Sequence, residues 1–159
     1  MNTAFATVIA TKNPKNVWQR SIAATAITLS ALLAGCATNL DMMQPGTVLL
    51  SGAQQVPVVD TVATGKGLFT VTSTKMISGG ITIDRLLTAT AAHIHLAPRG
   101  RNGPVIVPLT KTGDYTWSIV ESTRLTDTQY VQYISGDFYV NVHSEAHPNG
   151  EIRGQLLAN

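Results

Sequence analysis

Short runs of alternating apolar and polar residues, separated by glycine, proline and aspartate, dominate the chain from residue 47 onwards. The alternation is clearest in Phe138–His143 and recurs in Glu151–Leu156. A period of two is typical of strands that bury one face. The pattern predicts eight strands: Thr47–Ser51, Gly67–Ser73, Gly80–Asp84, Ala91–Leu96, Pro104–Leu109, Tyr115–Val120, Phe138–His143 and Glu151–Leu157.

One segment carries helical signals instead. Thr126 and Gln129 have the spacing of a capping box, and Gly136 follows where a C-terminal cap belongs. We therefore predict a short helix over Asp127–Ile134. Its core-facing residues are expected to be Tyr130, Val131 and Ile134, which recur at helical spacing.

Eight short, evenly spaced strands with one helix indicate an all-β, antiparallel sandwich or barrel. Pro148-Asn149-Gly150 lies between the last two strands and predicts that they form a hairpin. Gly79-Gly80 is interpreted as a turn, and Gly65–Gly67 as an interruption of the early strands. The residues from 47 to 159 are enough for one domain with its own core.

The first 35 residues have the organisation of a secretory leader. A basic stretch precedes residues 21–34, which are all apolar or small and too few to span a membrane. Leu33-Ala34-Gly35-Cys36 resembles a bacterial lipobox, whose cysteine is acylated and becomes the new N-terminus. We predict a lipoprotein signal peptide over residues 1–35, lipidation at Cys36 and a tether over residues 36–46. The alternative is an ordinary signal peptide with a stray cysteine.

The leader accounts for the basic character of the whole chain, whose formal net charge is +2. It contains Lys12, Lys15 and Arg20 and no acidic residue, so eight basic and nine acidic residues remain, a charge of −1. That balance does not favour nucleic acid. The expected partner is the membrane, in a bacterial cell envelope. Ala37 after the cysteine is similar to an outer-membrane sorting signal if the host is Gram-negative.

Three of the four histidines lie on predicted strands. His93 and His95 project from the same face of one strand, and His143 ends another. If these strands are neighbours, three imidazoles converge on one polar face and form a ligand set that suits copper or zinc. The alternative is a structural role, with the rings bonded to loop carbonyls. His147, in the following turn, is either a fourth ligand or a solvated loop residue.

The predicted hairpin also places polar residues beside these histidines. Glu151 would lie opposite His143, and Arg153 opposite Asn141. Glu151 and Asn141 are therefore candidates to orient the imidazoles by hydrogen bonds. An ordinary cross-strand polar ladder is the alternative for these residues.

The rest of the chain lacks common catalytic patterns. No serine lies in a Gly-x-Ser-x-Gly elbow, no glycine-rich phosphate loop is present, and the acidic residues are scattered. Arg99 and Arg101 flank Gly100 in a predicted loop, where a small anion-binding patch and a solvated turn are the alternatives.

Three motifs, in order and at suitable spacing, resemble the CHRD domain, which is named from chordin and is widespread in bacterial secreted proteins. The motifs are Leu50–Pro57, Ala92–His95 with Gly103–Val105, and Tyr139–His143 with Pro148–Gln155. The resemblance covers about residues 47 to 157. It implies an immunoglobulin-like or related β-sandwich and little specific biochemistry.

Two of these segments are also similar to the Cu/Zn superoxide dismutases. Ala91–His95 resembles their first copper-ligand motif, and Val140–His143 resembles the strand of a later copper-ligand histidine. This similarity implies a superoxide-dismutase-like Greek key with His93, His95 and His143 as copper ligands. The chain departs from the dismutase pattern in two ways. No histidine lies between His95 and His143, and Cys36, the one cysteine of the chain, is predicted to carry the lipid, so none is left for a disulfide.

These patterns together predict an envelope lipoprotein with a CHRD-like antiparallel β-sandwich and one short helix. We expect a non-enzymatic binding module whose partner is a protein or a metal, copper or zinc. A dismutase-like copper redox enzyme and a structural envelope component without a ligand are the alternatives.

Overall fold

Eight strands and one α-helix follow the turn at Gly46 in the computed structural model, which describes residues 46–158. The strands are β1 Thr47–Ser51, β2 Thr64–Val71, β3 Ile77–Asp84, β4 Ala89–Leu96, β5 Val105–Lys111, β6 Thr116–Ile119, β7 Phe138–Ser144 and β8 Ile152–Leu156. Helix α1 spans Asp127–Ile134. The predicted leader, Cys36 and the tether up to residue 45 lie outside the described residues. Among the described helices, none has the length and apolarity to cross a bilayer.

All the strand pairs are antiparallel, and the strands close into one barrel in the order β1-β2-β3-β6-β5-β4-β7-β8. β7 returns beside β4 after a long connection that carries α1, and Ser51 opposite Arg153 joins β1 to β8. The predicted all-β antiparallel fold with one short helix is confirmed. The expected two-sheet sandwich is corrected to a closed barrel, because pairing of β3 with β6 and of β8 with β1 leaves no open edges.

The barrel interior holds the apolar residues of each alternation. Ile94 of β4 and Phe138, Val140 and Val142 of β7 are all 0% exposed. Because successive strand residues point to opposite faces, their burial directs the intervening side chains of β4 and β7 to the outside of the barrel. This geometry fixes the side on which the strand histidines lie.

The outer face of β7 and β8 is covered as well. Tyr139, Asn141, Arg153 and Gln155 project from this face and are all buried. The segments over residues 52–61 and 97–103 lie across it and exchange hydrogen bonds with these side chains. The alternation therefore separates two buried environments here, an apolar interior and a polar layer under loops.

Two glycine-rich segments, predicted as a strand interruption and as a turn, lie inside strands. Gly79 and Gly80 belong to β3, and β2 starts at Thr64, ahead of Gly67. A Cβ atom on Gly67 would lie 2.6 Å from the Ile81 side chain and 2.7 Å from a β3 carbonyl oxygen. The interpretation of Gly79-Gly80 as a turn is wrong, because both residues lie in β3. A Cβ atom on Gly79 would meet the backbone of β2, and one on Gly80 would meet the backbone of β6.

Helix α1 has the predicted bounds. The capping box is present, because the Thr126 hydroxyl accepts from the Gln129 amide while the Gln129 side chain accepts from the Thr126 amide. The predicted buried face is wrong in part. Val131 and Ile134 are 63% and 53% exposed, whereas Tyr133 is buried against Phe138 with 5.7 Å between ring centroids.

Candidate metal centre

Three histidines meet on the outer face of the β4–β7 pair. His93 lies opposite Asn141, His95 opposite Tyr139, and His143 opposite Ala91. The two strands are antiparallel neighbours, so His93 is diagonal to His143 and all three rings leave the same face. His95 is buried, whereas His93 and His143 are half-buried.

The imidazole rings are close enough to share an ion. His93 Nδ1 lies 3.2 Å from His143 Nε2, and one nitrogen from each of the three rings lies within 4.8 Å of the others. A tetrahedral ion with nitrogen ligands at about 2.1 Å has those ligands about 3.4 Å apart. The His93–His143 pair is already close to this separation. Side-chain movements of about 1 Å would bring the His95 nitrogen to the same separation.

Backbone carbonyls select which nitrogen of two rings is free to bind. His95 Nδ1 lies 2.9 Å from the Gly103 oxygen, and His143 Nδ1 lies 2.9 Å from the Pro148 oxygen. A carbonyl oxygen only accepts, so both Nδ1 atoms donate, and each neutral ring keeps its lone pair on Nε2. His95 Nε2 and His143 Nε2 are therefore candidate ligand atoms. His93 Nδ1 joins them because it lies 3.2 Å from His143 Nε2.

Two of these rings are held in the metal-binding protonation state. Burial lowers the pKa of His93, and the nearby His143 and His95 lower it further. Burial is also the largest cause that lowers the pKa of His95; the Gly103 carbonyl opposes this, while His143 and Arg153 add to it. Both rings therefore favour the neutral form, which can coordinate a metal.

An aromatic ring and a tight loop hold His95. Tyr139 stacks on the His95 ring with 4.8 Å between centroids and 15° between planes. The Gly103 N–H donates to the Tyr139 hydroxyl at 3.1 Å, while the Gly103 carbonyl binds His95. A Cβ atom on Gly103 would lie 1.8 Å from the Leu96 oxygen, so only glycine fits this close approach.

The sequence places Tyr139 on the strand face of His143, because the two residues share the alternation, but its stacking on His95 was not predicted. The carbonyls of Gly103 and Pro148 left no such signal, since their roles depend on where two loops fold back.

Glu151 and Asn141 hold the surrounding loops together. Glu151 accepts hydrogen bonds from Ser144 at 2.5 Å and from Thr61 at 2.7 Å. Asn141 lies opposite Arg153, as predicted, and its side chain accepts from Gln55 and donates to the Asn149 carbonyl. These hydrogen bonds end on loops, on the β7–β8 turn and on the last residue of β7. The hydrogen bonds that orient His95 and His143 come instead from backbone carbonyls.

His147 lies in the turn between β7 and β8 and is half-buried. Its carbonyl accepts from the amides of Ser144 and Gly150, so its backbone closes the turn. Within residues 46–158, the group of ligand atoms that lie within 4.8 Å of one another contains His93, His95 and His143 without His147.

Comparison with known proteins gives one family match. The CHRD domain model matches residues 46–156, which is more than half of the chain. No curated protein and no solved structure gave a significant match.

Proposed function

The chain belongs to the CHRD domain family, and on that premise we propose that its barrel is a binding module that holds one copper or zinc ion through His93, His95 and His143. The lipobox-like sequence supports the further proposal that a lipid on Cys36 anchors this module to a bacterial membrane. Family membership itself indicates a binding or interaction module.

One atom carries the metal proposal. His95 Nε2 is buried and has no hydrogen-bond partner among the described residues. Buried polar atoms are nearly always paired, because an unpaired one costs about 1–3 kcal/mol. Trp117 Nε1 is also buried and unpaired, but the free nitrogen of His95 lies beside two further imidazoles. A metal ion at this point would use the lone pair and remove the penalty.

The ligand chemistry favours copper over zinc. Three neutral imidazoles form a nitrogen-only donor set, and divalent copper binds such sites more tightly than zinc. The cluster has no fourth side-chain ligand within the described residues, which leaves a coordination position for water or an external group.

The direct test is the paramagnetic resonance spectrum of the purified protein with one equivalent of Cu(II). We expect one bound copper with hyperfine coupling from three imidazole nitrogens. His143→Ala should remove one nitrogen and weaken binding by at least about tenfold. His147→Ala is the matched control, because it deletes a nearby imidazole that lies outside the cluster, and it should leave the spectrum unchanged.

Two outcomes would refute the metal proposal. One is the absence of stoichiometric Cu(II) and Zn(II) binding, and the other is binding that His143→Ala leaves unchanged. Catalysed superoxide removal that disappears in the same variant would instead favour the dismutase-like enzyme. Membrane attachment is tested separately by incorporation of labelled fatty acid, which Cys36→Ala should abolish.

A further inference from the structure

A second feature of the same face is a buried positive charge. Arg153 of β8 is 1% exposed, and no carboxylate forms an ion pair with it in the part of the chain that is described. The ion pairs there join Lys75 to Asp127 and Arg85 to Asp84. A guanidinium taken out of water without a counter-charge is costly, so natural proteins rarely leave one unpaired.

The contacts of Arg153 are all with neutral groups. One terminal nitrogen donates to the Asn102 side chain at 3.1 Å, and the other donates to the Arg101 carbonyl at 2.8 Å. The guanidinium carbon also lies 3.5 Å from the centre of the Tyr139 ring. These two hydrogen bonds use part of a group that has five N–H donors.

Arg153 is one of the residues that line a cavity of about 240 Å³. Arg99 lines it together with Arg153, and no acidic residue is among its lining residues. The side-chain amides of Gln55 and Gln155 also face the cavity, but they already donate to Asn141 and to backbone carbonyls. The charged donors at the cavity are therefore those of the two arginines.

The charge of Arg99 acts on the guanidinium of Arg153. Burial is the main cause that lowers the pKa of Arg153; Tyr139 opposes this shift, and the charge of Arg99 adds to it. Two cations that share one cavity are stabilised by an anion between them, since guanidinium forks match carboxylate and phosphate oxygens. The volume fits a small anion or one terminal group and is below the range of pockets for drug-sized ligands.

We propose that this cavity is a binding site for a small oxyanion, a carboxylate or a phosphate group, held between Arg99 and Arg153. None of the three histidines lines this cavity, and the proposal does not require a bound metal. The structure thereby assigns a role to the loop that contains Arg99 and Arg101. The two arginines of this loop have different positions. Arg99 lines the cavity, whereas Arg101 does not line it and accepts a hydrogen bond from Arg153 through its backbone carbonyl.

The test is calorimetric titration of the metal-free protein with inorganic phosphate and, separately, with acetate, at constant ionic strength set by sodium chloride. We expect saturable one-site binding of at least one of these anions at millimolar concentration. Arg99→Gln should weaken it by about tenfold, because a charge-assisted hydrogen bond is lost. Arg101→Gln removes the same charge two residues away and should change affinity less than twofold.

Arg153→Lys adds a second readout, because it keeps the charge and removes the planar fork. It should weaken binding by about tenfold, and Arg99→Gln remains decisive if this variant does not fold. The proposal fails if neither phosphate nor acetate binds saturably. It also fails if Arg99→Gln and Arg101→Gln weaken binding equally, since the effect would then be general charge attraction.

Discussion

Glu151 offers the sharpest test of how the β7–β8 turn is held. Its side chain is nearly inaccessible, and its two oxygens accept from the hydroxyls of Ser144 and Thr61. Ser144 Oγ in turn accepts from the His147 amide. The turn then presents the Pro148 carbonyl to His143. Removal of the carboxylate should therefore loosen the turn and the imidazole that it orients.

The magnitude follows from the two hydrogen bonds. A hydrogen bond to a charged group contributes about 1.5–3 kcal/mol to stability. Removing the carboxylate loses these bonds but also removes the free-energy cost of burying a charge, which offsets part of the lost stability. We expect Glu151→Ala to lower the free energy of unfolding by about 2–4 kcal/mol. Glu151→Gln keeps one acceptor oxygen and loses the other, so it should cost about 1–2 kcal/mol.

Urea unfolding followed by circular dichroism measures these changes. The control is Glu145→Ala, because Glu145 lies in the same connection but is exposed, and its loss should cost less than about 0.5 kcal/mol. Cu(II) affinity should also fall in Glu151→Ala while the control keeps it. If both alanine variants have the same stability, the carboxylate does not support the turn and the reasoning is refuted.

Three further predictions follow from the same structure. The free energy of unfolding of the metal-free protein should fall as the pH drops below the ordinary histidine pKa of 6.5. The pKa values of His93 and His95 are lowered in the folded protein, so the unfolded chain binds more protons in this range. Urea unfolding at about pH 7.5 and about pH 5.5 checks this, and equal stabilities would contradict it. Gly103→Ala should lower the free energy of unfolding by about 2 kcal/mol or more, since the added Cβ would collide with the Leu96 carbonyl, and should also lower Cu(II) affinity. If the variant unfolds thermally at the same temperature as the unchanged protein, the close approach is excluded. Ile94→Ala should cost about 2–5 kcal/mol, because this residue is fully buried in the barrel; a loss below about 1 kcal/mol would place it outside the core.

The elements were predictable where their signals are local. The helix Asp127–Ile134 begins at a capping box whose two hydrogen bonds join residues three apart, and β1 has its predicted bounds. Glycine was misjudged in β2 and β3. Gly79 and Gly80 suggest a turn when the segment is considered alone, but in the barrel Gly79 admits the backbone of β2 and Gly80 admits that of β6.

Barrel closure and the second buried layer were not predictable from periodicity. Alternation in β8 separates Ile152 and Leu156 from Arg153 and Gln155, and it does not say whether the polar side faces water or a covering loop. The polar side is buried because the segments over residues 52–61 and 97–103 cover it. The barrel is closed because β8 pairs with β1.

The sequence by itself determined that His93, His95 and His143 leave the outer faces of their strands, because the pleat of a strand sends alternate residues to opposite sides. The tertiary structure decided that β4 and β7 are neighbours, which joins His93 to His143 across 50 residues of chain. It also decided which nitrogens are free, since the Gly103 and Pro148 carbonyls reach the rings only after their loops fold back. Side-chain direction is a local property of the backbone, whereas strand pairing and loop placement depend on contacts between distant residues.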